Sequence, residues 1–333
     1  MVKDVLIIGA GVAGSAAGRL LKQAGLSCTV YDKGRGPGGR ASTRQRDLLA
    51  FDHGVQYLSA KSAAFAEALR AWEEAGVIGL WDARFARVES GALEVEETGG
   101  RYVGLPAMNR VVGYLQDDVD VAFGQAVTSL ARHDDGWCAR LEDETVSEAH
   151  RAVLLALPAP QAAQLLGPVH SGFAEAAGRC EMKPNWTLMV AFEEQTGWGF
   201  DAVRWEDHAS AGWLACNSSK PGRPTSGPEC WVFQAAEPWT REYLELDREA
   251  AVEPLMGVLR ETLGELGLSV PETVHARAHR WRYAFSGDPV GQACLDDAAA
   301  SLTVCGDWLL GDRVESAYLS GLAGAEAILG RLV

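Results

Sequence analysis

The sequence predicts an α/β fold in two domains, one of them discontinuous along the chain. Three observations lead there. An apolar strand, Val5-Leu6-Ile7-Ile8, runs into a glycine-rich turn and a helix-like stretch. A second strand, turn and helix pattern closes the chain after Leu302. Between them, strand-like runs recur with one long helix among them, and seven of the eleven tryptophans fall between 186 and 281. Strands that alternate with helices build a parallel sheet, whereas a run of strands under a single helix builds a mixed or antiparallel one.

The first element carries the most chemistry. The opening strand feeds Gly9-Ala10-Gly11-Val12-Ala13-Gly14, and a helical stretch leads to Cys28-Thr29-Val30-Tyr31, which ends in Asp32 and Lys33. Gly9 permits the tight turn, Gly11 lets the backbone approach a pyrophosphate, and Gly14 lets helix and sheet pack closely. The helix N-terminus offers unpaired N–H groups and a partial positive charge to phosphates. Asp32 lies at about the 20-residue spacing expected of the acid that meets the adenosine ribose. Residues 9–14, Asp32 and Lys33 are therefore candidate dinucleotide ligands.

Along the chain, Phe65, Leu69 and Trp72 recur at helical spacing over residues 61–75, with Gly76 as a stop. Residues 84–105 alternate in short segments and predict β-hairpins. Pro106 opens a helix that leads to a strand at 119–123. From Val127 to Glu142 the chain alternates around Asp134-Asp135-Gly136, a hairpin signal. Ala152–Leu157 is apolar on both faces, as a buried parallel strand should be, and Pro158 and Pro160 end it. Further strands are expected at 186–192, 211–216, 230–235 and 273–284. The helix at 248–266 carries an apolar stripe from Val252 to Leu266, with Pro254 in its first turns. The expected division is a dinucleotide-binding domain of residues 1–75, 100–165 and 295–333, and a second domain of residues 76–99 and 166–294.

Bulk properties narrow the function. A chain of 333 residues with 47% hydrophobic residues can bury a large core. A net charge of −15 argues against nucleic acid, which needs clustered Lys and Arg. Seven scattered cysteines without a C-x-x-C suit reduced thiols in a cytoplasmic protein, and no metal site is expected. No apolar run reaches about 18 residues, so no membrane span is expected.

Two more segments choose the dinucleotide. Arg35-Gly36-Pro37-Gly38-Gly39-Arg40 follows directly on Asp32. Leu302-Thr303-Val304-Cys305 opens onto Gly306-Asp307, and a small-residue helix follows from about Ser316 to Leu329. This layout resembles the flavoprotein amine oxidase superfamily, whose glycine-glycine-arginine turn lies along the pyrophosphate and whose late Gly-Asp holds the ribityl chain. The resemblance implies non-covalent FAD and a p-hydroxybenzoate-hydroxylase-like two-domain architecture. It extends the cofactor set to Gly39, Arg40, Gln56, Tyr57, Val127, Gly306, Asp307, Glu315, Ser316 and Ala317. A helix N-terminus aimed at the flavin's pyrimidine edge stabilises negative charge there.

Four internal motifs sharpen the resemblance: Asp52-His53-Gly54-Val55-Gln56-Tyr57, Pro184-Asn185-Trp186-Thr187-Leu188-Met189, His279-Arg280-Trp281-Arg282-Tyr283-Ala284 and Cys305-Gly306-Asp307-Trp308. Together they look like the renalase branch over essentially the whole chain. That branch implies oxidation of dihydronicotinamide dinucleotides reduced at ring position 2 or 6, with dioxygen as acceptor and hydrogen peroxide as product. Such a hydride transfer needs two flat rings held face to face and water excluded, rather than an acid–base pair. At strand periodicity Trp281 and Tyr283 share a face with His275, Arg277 and His279, and the segment's arginines are candidates for the substrate's phosphates. Trp186, Trp281 and Tyr283 are the candidate ring-positioning residues, whereas His53 reads as structural. Amine oxidases carry a lysine on the strand corresponding to 185–192; here Thr187 stands nearest that place. Asp32 is a second departure, where relatives often carry glutamate. Three functions follow: an oxidase of isomeric dihydro-NAD(P), an amine oxidase or desaturase on the same scaffold, and a flavin-binding regulator without turnover.

Overall fold

A computed structural model describes residues 2–96 and 99–333. The strand Lys3–Ile8 sits at the centre of an eight-stranded sheet. Cys28–Asp32 pairs with it in parallel on one side and His150–Leu155 on the other. Val121–Phe123 and Leu302–Val304 extend the parallel array outwards. The hairpin Val127–His133 and Gly136–Leu141 and the short strand Leu295–Asp297 join antiparallel at one side. Val5–Ile8 and Ala152–Leu155 are buried on both faces, which is why they read as uninterrupted apolar runs.

The first helix, Val12–Gln23, and the last, Val314–Leu332, pack against each other on one face of this sheet. Glycine decides both the turn before the first helix and that contact. Gly9 holds φ +99°, and a Cβ there would collide with the Ala156 carbonyl. A Cβ on Gly14 would strike the Gly9 carbonyl, and one on Gly321 the backbone of Ala13.

The second sheet has seven strands, in the order Thr273–Ser286, Met182–Phe192, Glu229–Ala235, Ala211–Cys216, Ala202–Trp205, Phe85–Glu89 and Ala92–Glu96. All neighbours are antiparallel except Phe85–Glu89 beside Ala202–Trp205. The helix Val252–Glu265 covers one face, and its Leu255, Met256, Leu259 and Leu263 meet Trp186, Leu188, Val190 and Phe192 of the central strand. The other face, with Met189 and Ala191, packs on Phe51.

The 84–105 expectation needs correction. Phe85–Glu89 and Ala92–Glu96 form a hairpin, but Tyr102–Gly104 pairs with Ile78–Leu80 instead. No helix among the described residues is long and apolar enough to cross a membrane.

A buried ionic knot ties these layers together at Asp52, the last residue of the strand Leu49–Asp52. Its carboxylate accepts from Thr43 Oγ1 at 2.6 Å and from two cations with fully buried side chains, Lys220 Nζ at 3.1 Å and Arg223 Nη2 at 2.6 Å. Asn217 braces the same strand, donating to the Ala50 carbonyl at 2.8 Å and accepting from Asp52 N at 3.2 Å. Burial alone would raise the Asp52 carboxyl, but Lys220 and Arg223 outweigh it and hold it down at about 2. Removing one partner of such a group leaves uncompensated buried charge, at a cost of about 3–5 kcal/mol. Asp52→Asn should destabilise the protein by that order in denaturant unfolding at neutral pH. The sign with pH follows from the depressed folded value. The wild-type contribution is complete above the unfolded carboxyl value of about 3.9 and fades as pH falls through about 2. Unfolding free energies measured across that window should therefore fall more steeply in the wild type than in Asp52→Asn.

Candidate functional site

The two sheets enclose a cleft of about 350 Å³. From the first domain, the glycine turn contributes Gly11, Val12 and Ala13, with nothing within 4 Å of where a Gly11 side chain would stand. Ala10 N donates to Asp32 Oδ2 at 2.7 Å and Gly34 N to Oδ1 at 2.6 Å, so the acid is locked at the foot of the turn. Lys33 beside it is exposed. Gly9 and Gly14 shape the turn from behind rather than lining the cleft.

Opposite the turn, Arg40 grips Asp307 through two hydrogen bonds, Nη1 to Oδ2 at 2.7 Å and Nη2 to Oδ1 at 2.6 Å. Both side chains line the cleft with Gly306, and Asp307 is buried. Gly39 precedes Arg40 in a left-handed conformation, φ +54°, with its Cα side turned toward Gly11. The arginine turn and the late Gly-Asp thus meet across 267 residues of sequence.

The last helix aims its N-terminus into the same space, with Val314, Glu315 and Ala317 on the wall. The Glu315 carboxylate accepts from Lys61 N at 2.9 Å and Ser62 N at 2.7 Å. Burial would raise its pKa, but the Ser62 and Lys61 hydrogen bonds and Arg313 hold it below the ordinary value. Glu315 therefore pins the 59–62 loop. Ser316 is buried behind the wall, and Val127 packs on the outer core of the first sheet.

The second sheet supplies Asn185, Trp213, Gln234, Trp281, Ala284 and Phe285, with Gln56 and Tyr57 completing that side. None of the six residues from the sheet is ionisable. Trp281 Nε1 donates to the His53 carbonyl at 2.8 Å, and its ring stacks on His53 at 5.1 Å. Tyr57 and Trp213 lie 5.8 Å apart. Gln234 Nε2 donates to the Gly54 carbonyl at 2.9 Å, and Asn185 Nδ2 to the Ala235 carbonyl at 2.9 Å. Burial, then Arg44, pushes His53 down to about 4, so it is neutral at physiological pH.

Two of the three candidate ring-positioning residues lie elsewhere. Trp186 is fully buried in the core under the long helix, its Nε1 donating to the Tyr243 carbonyl at 2.9 Å. The pleat explains this: Asn185 faces the cleft, so its neighbour faces away. Tyr283 packs on the core of the first domain. Lys183 opposes Phe285 but Asn185 opposes Trp281, so the strand carries two extra residues there and the alternation is broken. Arg280 and Arg282 are also engaged away from the cleft, with the Leu244 carbonyl at 2.6 Å and Glu245 at 2.7 Å. Thr187 bonds Asn185 at 2.9 Å, Lys183 pairs with Glu237 at 2.9 Å, and no lysine lines the cleft. Sequence reasoning passed over Gln234 and Trp213, directly opposed on adjacent strands. A single glutamine inside the apolar run Cys230–Ala235 was the available signal.

The residues present fit FAD. The open space over Gly11 suits a pyrophosphate, the acid at the turn suits a ribose, and the last helix's positive end faces the cleft. Comparison with known proteins agrees. A model described as an NAD(P)-binding Rossmann-like domain matches residues 7–74. A second, described as flavin containing amine oxidoreductase, matches residues 74–329. Cyclohexylamine oxidase from Brevibacterium oxydans IH-35A superposes with TM-score 0.77 at 12% identity, covering 100% of both chains. Putrescine oxidase bound to putrescine gives 0.74 at 13% identity, over 99% of this chain and 100% of that one. An oxidoreductase from Methanosarcina mazei gives 0.74 at 13% identity, over 97% and 100%. At such identities these likenesses speak for the fold alone. The family model covers most of the chain, and on that ground the protein is an FAD-binding member of the flavin-containing amine oxidoreductase family.

Proposed function

We propose that the protein is a renalase-like oxidase of dihydro-NAD(P) isomers reduced at position 2 or 6. One observation carries the reading: the second sheet's wall of the cleft holds aromatic rings and carboxamides, with no acid, lysine or histidine. An ammonium must lose a proton before it can give up a hydride, and its charge asks for a carboxylate. A dihydropyridine needs only to be laid flat, because loss of a hydride makes it an aromatic pyridinium. When bound, FAD accepts that hydride at N5, and dioxygen with a proton carries the electrons away as hydrogen peroxide.

The chain's own residues would do the positioning. Trp281 and Tyr57 hold the nicotinamide ring, with Trp213 beside Tyr57 narrowing the slot. Asn185 and Gln234 present amide groups to the ring's carboxamide, and their backbone bonds fix their orientation. The aromatic walls exclude water from the ring stack. The Arg40–Asp307 clamp, Gly11 and the last helix's N-terminus hold the cofactor. Family membership keeps amine oxidation as the second reading, favoured by the Tyr57–Trp213 pair, which an uncharged amine could enter.

Anaerobic mixing separates the two. The yellow flavin absorbance should bleach within seconds on adding the 2- or 6-dihydro isomers of NAD(P), and not on adding monoamines or polyamines. The reverse pattern would establish amine oxidation. Asp32→Ala removes charge-assisted hydrogen bonds worth about 1.5–3 kcal/mol each. FAD affinity, measured by titrating the stripped protein, should fall at least about tenfold. Trp281→Ala should keep FAD but slow flavin reduction by about tenfold or more in stopped flow; reduction at the wild-type rate would remove Trp281 from the ring slot.

A further inference from the structure

The face of the strand Thr273–Ser286 that carries Trp281 also carries a cation, Arg277, that the cleft does not use. His275, Arg277, His279 and Trp281 oppose Ala191, Met189, Thr187 and Asn185, and so share that face. The antiparallel pair Thr43–Arg46 and Leu49–Asp52 packs against it. Phe51 stacks on His275 at 5.6 Å, and Arg44 Nη2 lies 3.4 Å from His279 Nδ1. A guanidinium can only donate, so Nδ1 of His279 is the unprotonated nitrogen in that contact. Burial, then His53 and Arg44, push His279 down to about 3, with Arg248 and Arg277 adding to the effect.

Three guanidiniums gather here that have no ion pair among the described residues. Arg40, Arg223, Arg280 and Arg282 each pair with a carboxylate. Among the described residues, Arg44, Arg248 and Arg277 form no ion pair. Arg44 Nε is buried and has no hydrogen-bond partner. Arg277 stands one pleat from His279 on the same face and so beside Arg44, and burial, then Arg277 and Arg248, lowers the Arg44 pKa. Asp247 and Glu249 flank Arg248 in sequence but do not pair with it. In a chain of net charge −15, carboxylates are plentiful, yet among the described residues none pairs with these three. The cluster adjoins the cleft through one indole: Trp281 lies 4.3 Å from His279 and 5.1 Å from His53, and itself lines the cleft.

We propose that Arg44, Arg248 and Arg277 form an anion site beside Trp281 that takes the diphosphate of the dinucleotide substrate, whose nicotinamide ring lies on the cleft side of the same indole. Forked guanidiniums match phosphate oxygens in geometry and charge. The assignment rests on the dihydronicotinamide reading above, and it separates this pocket from one built for a small amine, which has no phosphate to place.

Pyrophosphate is the probe, titrated calorimetrically into the FAD-loaded protein, whose own diphosphate site is then filled. The wild type should bind it at low salt and lose affinity as salt rises. Arg277→Gln, at an exposed position, should weaken binding about tenfold, and the Arg44→Gln/Arg277→Gln pair should weaken it further, with FAD absorbance confirming that both remain loaded. Pyrophosphate should also raise KM for the dihydro isomers competitively. No binding by the wild type, or equal binding by both variants, would overturn the anion site. Binding without competition would overturn its role for the substrate tail. If no dihydro isomer is oxidised, the substrate reading falls on its own, and the titration still decides whether the site exists.

Discussion

The constraint on which this structure turns is the ion pair between Arg40 and Asp307. Asp307 is buried and Arg40 partly so, and a buried carboxylate left without its partner costs several kcal/mol. The two-pronged geometry fixes orientation as well as distance. It holds the turn after the second strand against the segment after the last one. Arg40 also donates to the Ala284 carbonyl at 3.3 Å, so the second sheet is registered to the same point. The close approach of the first and last helices at Ala13 and Gly321 brings the chain's ends near enough for the pair to form. Three walls of the cleft therefore share one electrostatic reference.

Around that point the molecule separates two kinds of work. Fixed charge and oriented N–H groups lie on the first domain's side: Arg40, Asp307, the glycine turn and the positive end of the last helix. The second sheet contributes only rings and amides to the cleft. The charges buried nearby are arranged not to reach it. The Asp52 knot lies behind Gln56, with Lys220 Nζ 3.3 Å from Gln56 Oε1, and Gln56 Nε2 donates to the carbonyls of Asp52 and Gly54. Gln56 thus presents a fixed amide at the wall while the ionic group stays sealed. Burial and Arg223 push Lys220 down and Asp52 pulls it back, leaving it at about 8. His53 and His279 stay neutral for the same reason of burial among cations.

How much of this was legible in the sequence depended on whether the information was local. The glycine turn, Asp32 and the helix at residues 61–75 were legible because each is specified by a few neighbouring residues and by hydrogen bonds within a turn or a helical face. Arg40 and Asp307 were legible separately, and their meeting followed from the family resemblance rather than from spacing. What failed was parity over a long strand. The alternation that carries Trp281, His279 and Arg277 to one face holds up to 281 and breaks at the two-residue excess opposite Pro184, a residue without an N–H for the ladder. Tyr283 therefore turned to another core. Trp186 failed for a simpler reason: its neighbour Asn185 took the cleft. Lys220 and Arg223 gave no signal at all, since their roles depend on a partner more than 160 residues away.

The same parity explains why one strand can serve two chemistries. Residues 275, 277, 279 and 281 share a single face, and the indole at 281 divides it. Beyond Trp281 this strand gives the cleft only Ala284 and Phe285, so its own part of the wall is uncharged, as one side of a slot for flat rings should be if water is to stay out. On its other side, toward Arg277, guanidiniums stand unpaired in a protein that has carboxylates to spare. A ligand flat at one end and anionic at the other satisfies both halves at once, whereas a small amine satisfies neither the missing carboxylate nor the surplus cations. The charge distribution around this one strand is thus the physical ground of the proposal that the substrate is a dinucleotide rather than an amine.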